Sequence, residues 1–259
     1  MNRTQEDTIK QLIEYVSQDD SILGLILCGS IARGTETDQS DIDVFVVVTD
    51  ERFNKERISK NYFWGTNHDL KGFKVYIDGK IVPKSFLMKI WEYGNQSVKS
   101  TLYNSRVIYS CDSDIEKLLL NKSYISTQEK NENIRKFYSM MRSSMLSADD
   151  DLENILFVNK CIFDTVFYAC RLVLAYNDIL YPCVKNLYKE LNNCKKIPND
   201  FILLMNDVMS SYSFDKMVDF YNCVDEYFKQ YHFCDELRRG YVLENELFWY
   251  FSEFPYAEI

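Results

Sequence analysis

The stretch CGSIARGTETDQSDIDVFVVV, residues 28–48, places a Gly-Ser pair at the end of one apolar run and two aspartates, Asp41 and Asp43, at the mouth of another. On an extended chain, side chains two positions apart leave the same face, so Asp41 and Asp43 project together while Ile42 turns the other way. Two like charges held side by side repel and lose hydration, an arrangement that is costly unless a cation neutralises it. The runs on either side, Ile22 to Cys28 and Asp41 to Val48, are short and apolar and read as central strands. Gly29-Ser30 closes the first of them and opens a short helix, Ile31-Ala32-Arg33.

Working outward, the spacing of Ile9, Leu12, Ile13 and Val16 predicts an N-terminal amphipathic helix with Thr4 as its cap. Phe73 to Val82 alternates, with Val75, Ile77 and Ile81 on one face and Tyr76, Asp78 and Lys80 on the other, and predicts a third strand. A helix follows from Pro83 to about Asn95, then a short edge strand at Val107–Ser110 and a weak helix. Beyond this point β signals stop. Ser126-x-x-Glu129 has capping-box spacing and opens a helix through about Met145. The acids Asp149 to Glu153 suit the start of a long helix that Pro182 ends, and Val184–Asn193, Asp200–Ser210 and Ser213–Phe233 complete a helical half. The expected fold is an α/β (α+β) domain with a small mixed sheet over 1–122, followed by an α-helical bundle over 123–259.

Composition narrows the chemistry. The chain has 259 residues, 46% of them hydrophobic, enough for a full core. A net charge of −9 argues against a broad nucleic-acid surface and suits a small or cationic partner. Eight cysteines without a C-x-x-C pair behave as buried hydrophobes of a reducing compartment, and the N-terminal stretch carries acids rather than an export signal, so a cytoplasmic location is expected. The apolar stretch Cys161–Leu180 contains Asp164, Arg171 and Asp178 and reads as a buried helix rather than a membrane span. With two histidines far apart, any metal would be hard and oxygen-bound.

Mg²⁺ meets that description. It takes one or two carboxylates and completes its shell with water and phosphate oxygens, which points to a nucleoside triphosphate as co-substrate. If the third strand pairs beside the second, Asp78 joins Asp41 and Asp43, and three acids can hold two ions about 3.5–4 Å apart. Lys80, on the same face, is placed to meet phosphate or developing charge. Gly29 lets backbone approach a phosphate, the Ser30 hydroxyl can donate to it, and Arg33 adds a positive fork. Bland readings stand beside these: Asp78-Gly79 as a hairpin turn, Arg33 paired with Glu36 or Asp38, Lys80 as a solvated residue.

Gly29-Ser30-Ile31-Ala32-Arg33-Gly34 followed by Ser40-Asp41-Ile42-Asp43 resembles the signature of the DNA polymerase β-like nucleotidyltransferase superfamily. The resemblance implies that Gly29 and Ser30 hold the triphosphate, with Ser40 within the motif, and that Asp41 and Asp43 bind metal. Asp78, in Tyr76-Ile77-Asp78-Gly79-Lys80, matches the third acid of that superfamily, as a metal ligand or general base. These motifs span roughly Leu23 to Val82. The C-terminal half is similar to the helical domain of streptomycin/spectinomycin-type adenylyltransferases, which implies phosphate contacts for Arg171 and Lys185. Asp164 as a partner for Arg171, and solvent for Lys185, are the structural alternatives. The expected activity is transfer of an NMP, AMP from ATP, to a hydroxyl of a small acceptor such as an aminoglycoside. A protein hydroxyl, as in antitoxin-type members, and a non-catalytic nucleotide-binding module are the alternatives.

Overall fold

The computed structural model describes residues 1–66, 72–120 and 127–251. The chain divides into two compact units, Met1–Ser123 and Tyr124–Ile259. The first is built on a small mixed sheet and the second is helical, the fold class expected from the sequence.

In the first unit, β1 (Ile22–Leu27) lies antiparallel between β2 (Ile42–Val48) and β5 (Arg106–Ser110). On the other side of β2, β4 (Ile77–Pro83) runs parallel to it, and β3 (Phe63–Gly65) closes that edge, giving the order β3-β4-β2-β1-β5. Alternation sorts the side chains to two faces. Leu25, Leu27, Ile42, Val44, Val46, Val48, Ile77 and Ile81 meet Ile9, Leu12 and Val16 of α1 (Arg3–Val16). Ile22 joins the same face although its number has the other parity, because a register shift between Ile22 and Gly24 inserts a residue. The opposite face carries Ile26, Phe45, Val47 and Val82 under Leu87, Ile90, Trp91, Leu102, Ile115 and Leu119. Those six come from α4 (Lys84–Tyr93), α5 (Gln96–Tyr103) and α6 (Asp114–Leu120). Leu12 and Val16 are fully buried, and each contributes about 1.5–3 kcal/mol by leaving water.

The helical unit is organised on α8 (Ile155–Tyr176), buried on all sides from Thr165 to Ala175. Around it stand α7 (Thr127–Ser147), α9 (Val184–Leu191), α10 (Phe201–Ser211) and α11 (Phe214–Tyr227), followed by a 3₁₀ turn at Lys229–Tyr231 and α12 (Asp235–Phe251). Phe201, Phe220, Tyr181 and Phe228 fill its core. Among the described residues no helix is long and apolar enough to cross a membrane.

Local chemistry moved several expected boundaries. The cap of α1 is Asn2 rather than Thr4: Asn2 Oδ1 accepts from the Gln5 amide at 2.9 Å while Gln5 Oε1 accepts from Asn2 N–H, a reciprocal box that the Thr4 reading overlooks. α8 stops at Tyr176, well before Pro182, because the Asn177 side chain takes the Val173 and Lys196 carbonyls and accepts from the Lys195 and Lys196 amides. Asn154 caps its start, so the acids at 149–153 precede the helix rather than occupy its first turn. The third strand begins at Ile77, not Phe73. Ser126, the first residue of the expected capping box, and His68 lie outside the described residues. Four elements were not foreseen: β3, α5, α12 and α3 (Asp50–Ser59), the last with no buried residue at all.

Gly79 is pinched between β2 and β3. A Cβ there would stand 2.1 Å from the Trp64 carbonyl oxygen, which is backbone and cannot rotate away. Gly79→Ala is therefore expected to cost about 1–3 kcal/mol of stability, measured as a lower denaturation midpoint, by forcing β3 off the sheet edge.

Candidate active site

At the mouth of the sheet the parallel register sets Asp43 of β2 directly beside Asp78 of β4, and Phe45 beside Lys80. Paired residues on neighbouring strands share a face, so both carboxylates project toward the face that carries Phe45, Val47 and Val82, just where its apolar cover gives out. Asp41 precedes β2 by one residue and is half-buried. Its charge and that of Asp78 both act on Asp43.

The end of β1 completes the group. Cys28 N–H donates to the Asp43 carbonyl at 2.9 Å, locking the two strand ends together. The chain then turns through Gly29, whose φ is +65°, into α2 (Gly29–Arg33). A Cβ at residue 29 would lie 1.8 Å from Asp43 Oδ2. The carboxylate thus occupies the space of the missing side chain, and both the backbone angle and the contact require glycine. Ser30 follows, half-buried, and Arg33 is exposed at the end of this short helix.

The electrostatics follow from crowding. Burial, then the charges of Asp41 and Asp78, push the Asp43 carboxyl above the usual carboxylate range, with Lys80 and Arg33 partly offsetting them. Burial, reinforced by Asp43, pushes the Cys28 thiol up to about 12, so Cys28 is a packing residue and no nucleophile. Lys80 is exposed, its ammonium 5.9 Å from the centroid of the Phe45 ring. Asp78 Oδ1 is buried without a hydrogen-bond partner among the described residues.

Two hard carboxylates in register and an orphaned buried oxygen fit a hard divalent cation. The acids are neighbours without being a finished cage: among the described residues no group of three or more His, Cys, Asp or Glu is gathered to hold a metal ion. Asp41, Asp43 and Asp78 would be the residues to hold it.

Of the remaining residues named from sequence, Ser40 belongs to the first unit and Arg171 and Lys185 to the second. Ser40 Oγ accepts from the Thr37 amide at 2.9 Å and so closes the turn before Asp41. Arg171, in α8, is buried, its guanidinium 4.0 Å from the Tyr181 ring centroid and 4.5 Å from that of Phe137. Asp164 is ion-paired with Lys160. Lys185 is exposed in the first turn of α9. Sequence reasoning passed over Gln5, buried in α1 with its side chain on the loop before Asp41. Its spacing from Asn2 signals a cap, and nothing in the sequence signals its second contact.

A family model described as nucleotidyltransferase domain matches residues 9–109, a span that holds every one of the crowded acids, Gly29, Ser30, Arg33 and Lys80. No curated protein matches the chain. Among solved structures, a nucleotidyltransferase-like protein from Exiguobacterium sibiricum 255-15 is similar at a TM-score of 0.51 and 10% identity, over 87% of this chain and 75% of that one. At that identity the likeness is one of fold.

A carboxyl with a raised folded pKa holds its proton more tightly in the fold than when unfolded. Its contribution to stability is therefore present at low pH and is lost as pH rises through that raised value, above which charged Asp43 opposes folding. In the absence of divalent cation Asp43→Asn is expected to raise the thermal midpoint at neutral pH, because the amide carries no charge to be buried or repelled. Differential scanning calorimetry in chelator, at pH 7 and again at pH 4, checks it; the gain should shrink at pH 4. Gly29→Ala should lower the midpoint in both, since its Cβ collides with Asp43 whatever the charge.

Proposed function

Since residues 9–109 match a nucleotidyltransferase domain of the DNA polymerase β-like superfamily, we propose that the protein transfers the NMP of a nucleoside triphosphate, AMP from ATP, to a hydroxyl of a small acceptor. The observation that supports this reading above the others is the Asp43–Asp78 register pair with its unpartnered buried oxygen, set against a glycine that leaves room for nothing but the carboxylate.

In the reaction the acceptor oxygen forms a bond to the α-phosphorus, the bond from that phosphorus to the β-bridging oxygen breaks, and pyrophosphate leaves. Mg²⁺, as one ion or two, would supply a hard positive charge that offsets the negative charge of the triphosphate. Asp41 and Asp43 would hold it. Asp78 either shares in that grip or takes the proton that the acceptor hydroxyl gives up. Arg33 and Lys80, exposed beside the acids, face the charge that builds on the departing pyrophosphate. The turn at Gly29 brings backbone amides and the Ser30 hydroxyl to the phosphates.

For the acceptor we favour a polyhydroxylated cation of the aminoglycoside kind, because a chain of net charge −9 attracts cations. The test incubates the protein with Mg²⁺, each labelled NTP, and a panel of aminoglycosides and candidate proteins. Labelled small molecule with stoichiometric pyrophosphate is the expected result. Labelled protein would shift the acceptor class, and nucleotide binding without turnover across the panel would overturn the transferase reading. Asp43→Asn should lower the transfer rate at least about 10²–10³-fold, the scale of losing one preorganised transition-state contact, while circular dichroism stays unchanged.

A further inference from the structure

We propose that Gln5 is a positioning residue for Asp41: a buried amide that fixes the start of the metal-binding strand from outside the motif. This inference rests on the reading of Asp41 as a cation ligand.

Asp41 is the last residue of a polar segment, Gly34 to Asp41, that joins α2 to β2. Most of that segment is exposed, and its backbone bonds within itself are short-range: Thr35 N–H to the Ser30 carbonyl at 3.0 Å, Ser40 N–H to the Thr37 carbonyl at 3.1 Å, Thr37 N–H to Ser40 Oγ at 2.9 Å. Two exposed side-chain ties reach the start of the chain, Glu36 to the Met1 ammonium and Asp38 Oδ1 accepting from Asn2 Nδ2 at 3.0 Å, and neither holds the backbone next to Asp41. That backbone is held by Gln5, which is 1% exposed although polar. Its Nε2 donates to the Thr37 carbonyl at 2.9 Å and to the Ser40 carbonyl at 3.1 Å. Its Oε1 accepts from Asn2 N–H at 3.0 Å, which settles which end of the amide faces the loop. Both donors and one lone pair of the acceptor are thereby used, which sets one orientation for the side chain.

The consequence for Asp41 is geometric. On its N-terminal side, the Ser40 carbonyl is tied to Gln5; on its C-terminal side, Ile42 N–H is tied to the Tyr76 carbonyl at 2.9 Å. The residue therefore sits between two fixed peptides, and its carboxylate is aimed before any ligand arrives. Without Gln5, of the two peptides that flank Asp41 only the one at Ile42 stays tied, and repulsion from Asp43 would turn Asp41 outward. Asp43 and Asp78 themselves stay held by the β2–β4 register.

The test compares Gln5→Met, which keeps length and packing but removes both donors, with Gln5→Glu, which sets a carboxylate against two carbonyl oxygens. Thr8→Val is the matched control: Thr8 is equally buried on the same helix, and its hydroxyl bonds only to the Thr4 carbonyl in its own turn. Two readouts are taken on the whole chain: amide hydrogen exchange over residues 35–41, and Mn²⁺ affinity by calorimetry with a non-hydrolysable triphosphate present. Gln5→Met should speed exchange in that segment and weaken Mn²⁺ about tenfold, Gln5→Glu should weaken it further, and Thr8→Val should leave both at the wild-type level. Unchanged Mn²⁺ affinity in the Gln5 variants, or an equal loss in Thr8→Val, would overturn the proposal and leave the transferase reading standing. A wild-type protein that binds neither Mn²⁺ nor the triphosphate would instead remove that reading, and this inference with it.

Discussion

The Asp43 carboxylate fills the space that a side chain at residue 29 would take, and the mouth of the sheet is arranged around that contact. It obliges residue 29 to be glycine, sets the turn by which β1 feeds α2, and holds Ser30 and Arg33 beside the acids. The bond from Cys28 N–H to the Asp43 carbonyl binds the same two strand ends through the backbone. Charge, backbone angle and strand register thus constrain one another, and none can change alone. The price is electrostatic: burial and then like charges disfavour the ionised form of Asp43, a repulsion that a cation would relieve.

Much of this was readable in the chain because the relevant signals are short-range. Two aspartates with one residue between them must share a face of a strand, and a Gly-Ser pair at the end of an apolar run must turn. Alternation put Tyr76, Asp78 and Lys80 on one face, but whether that strand lies beside the second was left as a condition, which the parallel register of β2 and β4 meets. What stayed hidden lacks an apolar stripe or depends on distant contacts. α3 buries no residue, and its two large apolar residues, Phe53 and Ile58, do not share a helical face. β3 is three residues long and is a strand only because β4 lies beside it. Gln5 belongs to the same class: its local spacing announces a helix cap, and its contact with Thr37 and Ser40 spans more than thirty positions.

The helical unit shows how a charged group can be absorbed by packing. Arg171 lies in the stretch of α8 that is buried on every side, and its guanidinium is laid against the rings of Tyr181 and Phe137. Aromatic faces carry partial negative charge and accept a weakly hydrated, planar cation better than they would an ammonium. A guanidinium in so apolar a helix reads from sequence as needing an acid, such as Asp164, or an anion. In the fold the aromatic richness of the chain, 19 Tyr and 17 Phe, answers part of that need.

The bare helix between β2 and β3 has a consequence for how such a protein diversifies. Because Phe53 is the one side chain of Asp50–Ser59 packed against a core cluster, and only partly buried there, replacements at the exposed positions of that helix forfeit little packing, while the strands on either side tolerate very few. Genetic drift can therefore accumulate in that helix at little cost. Selection can then reshape that flank of the molecule for new company, while the reaction centre beside it is inherited intact.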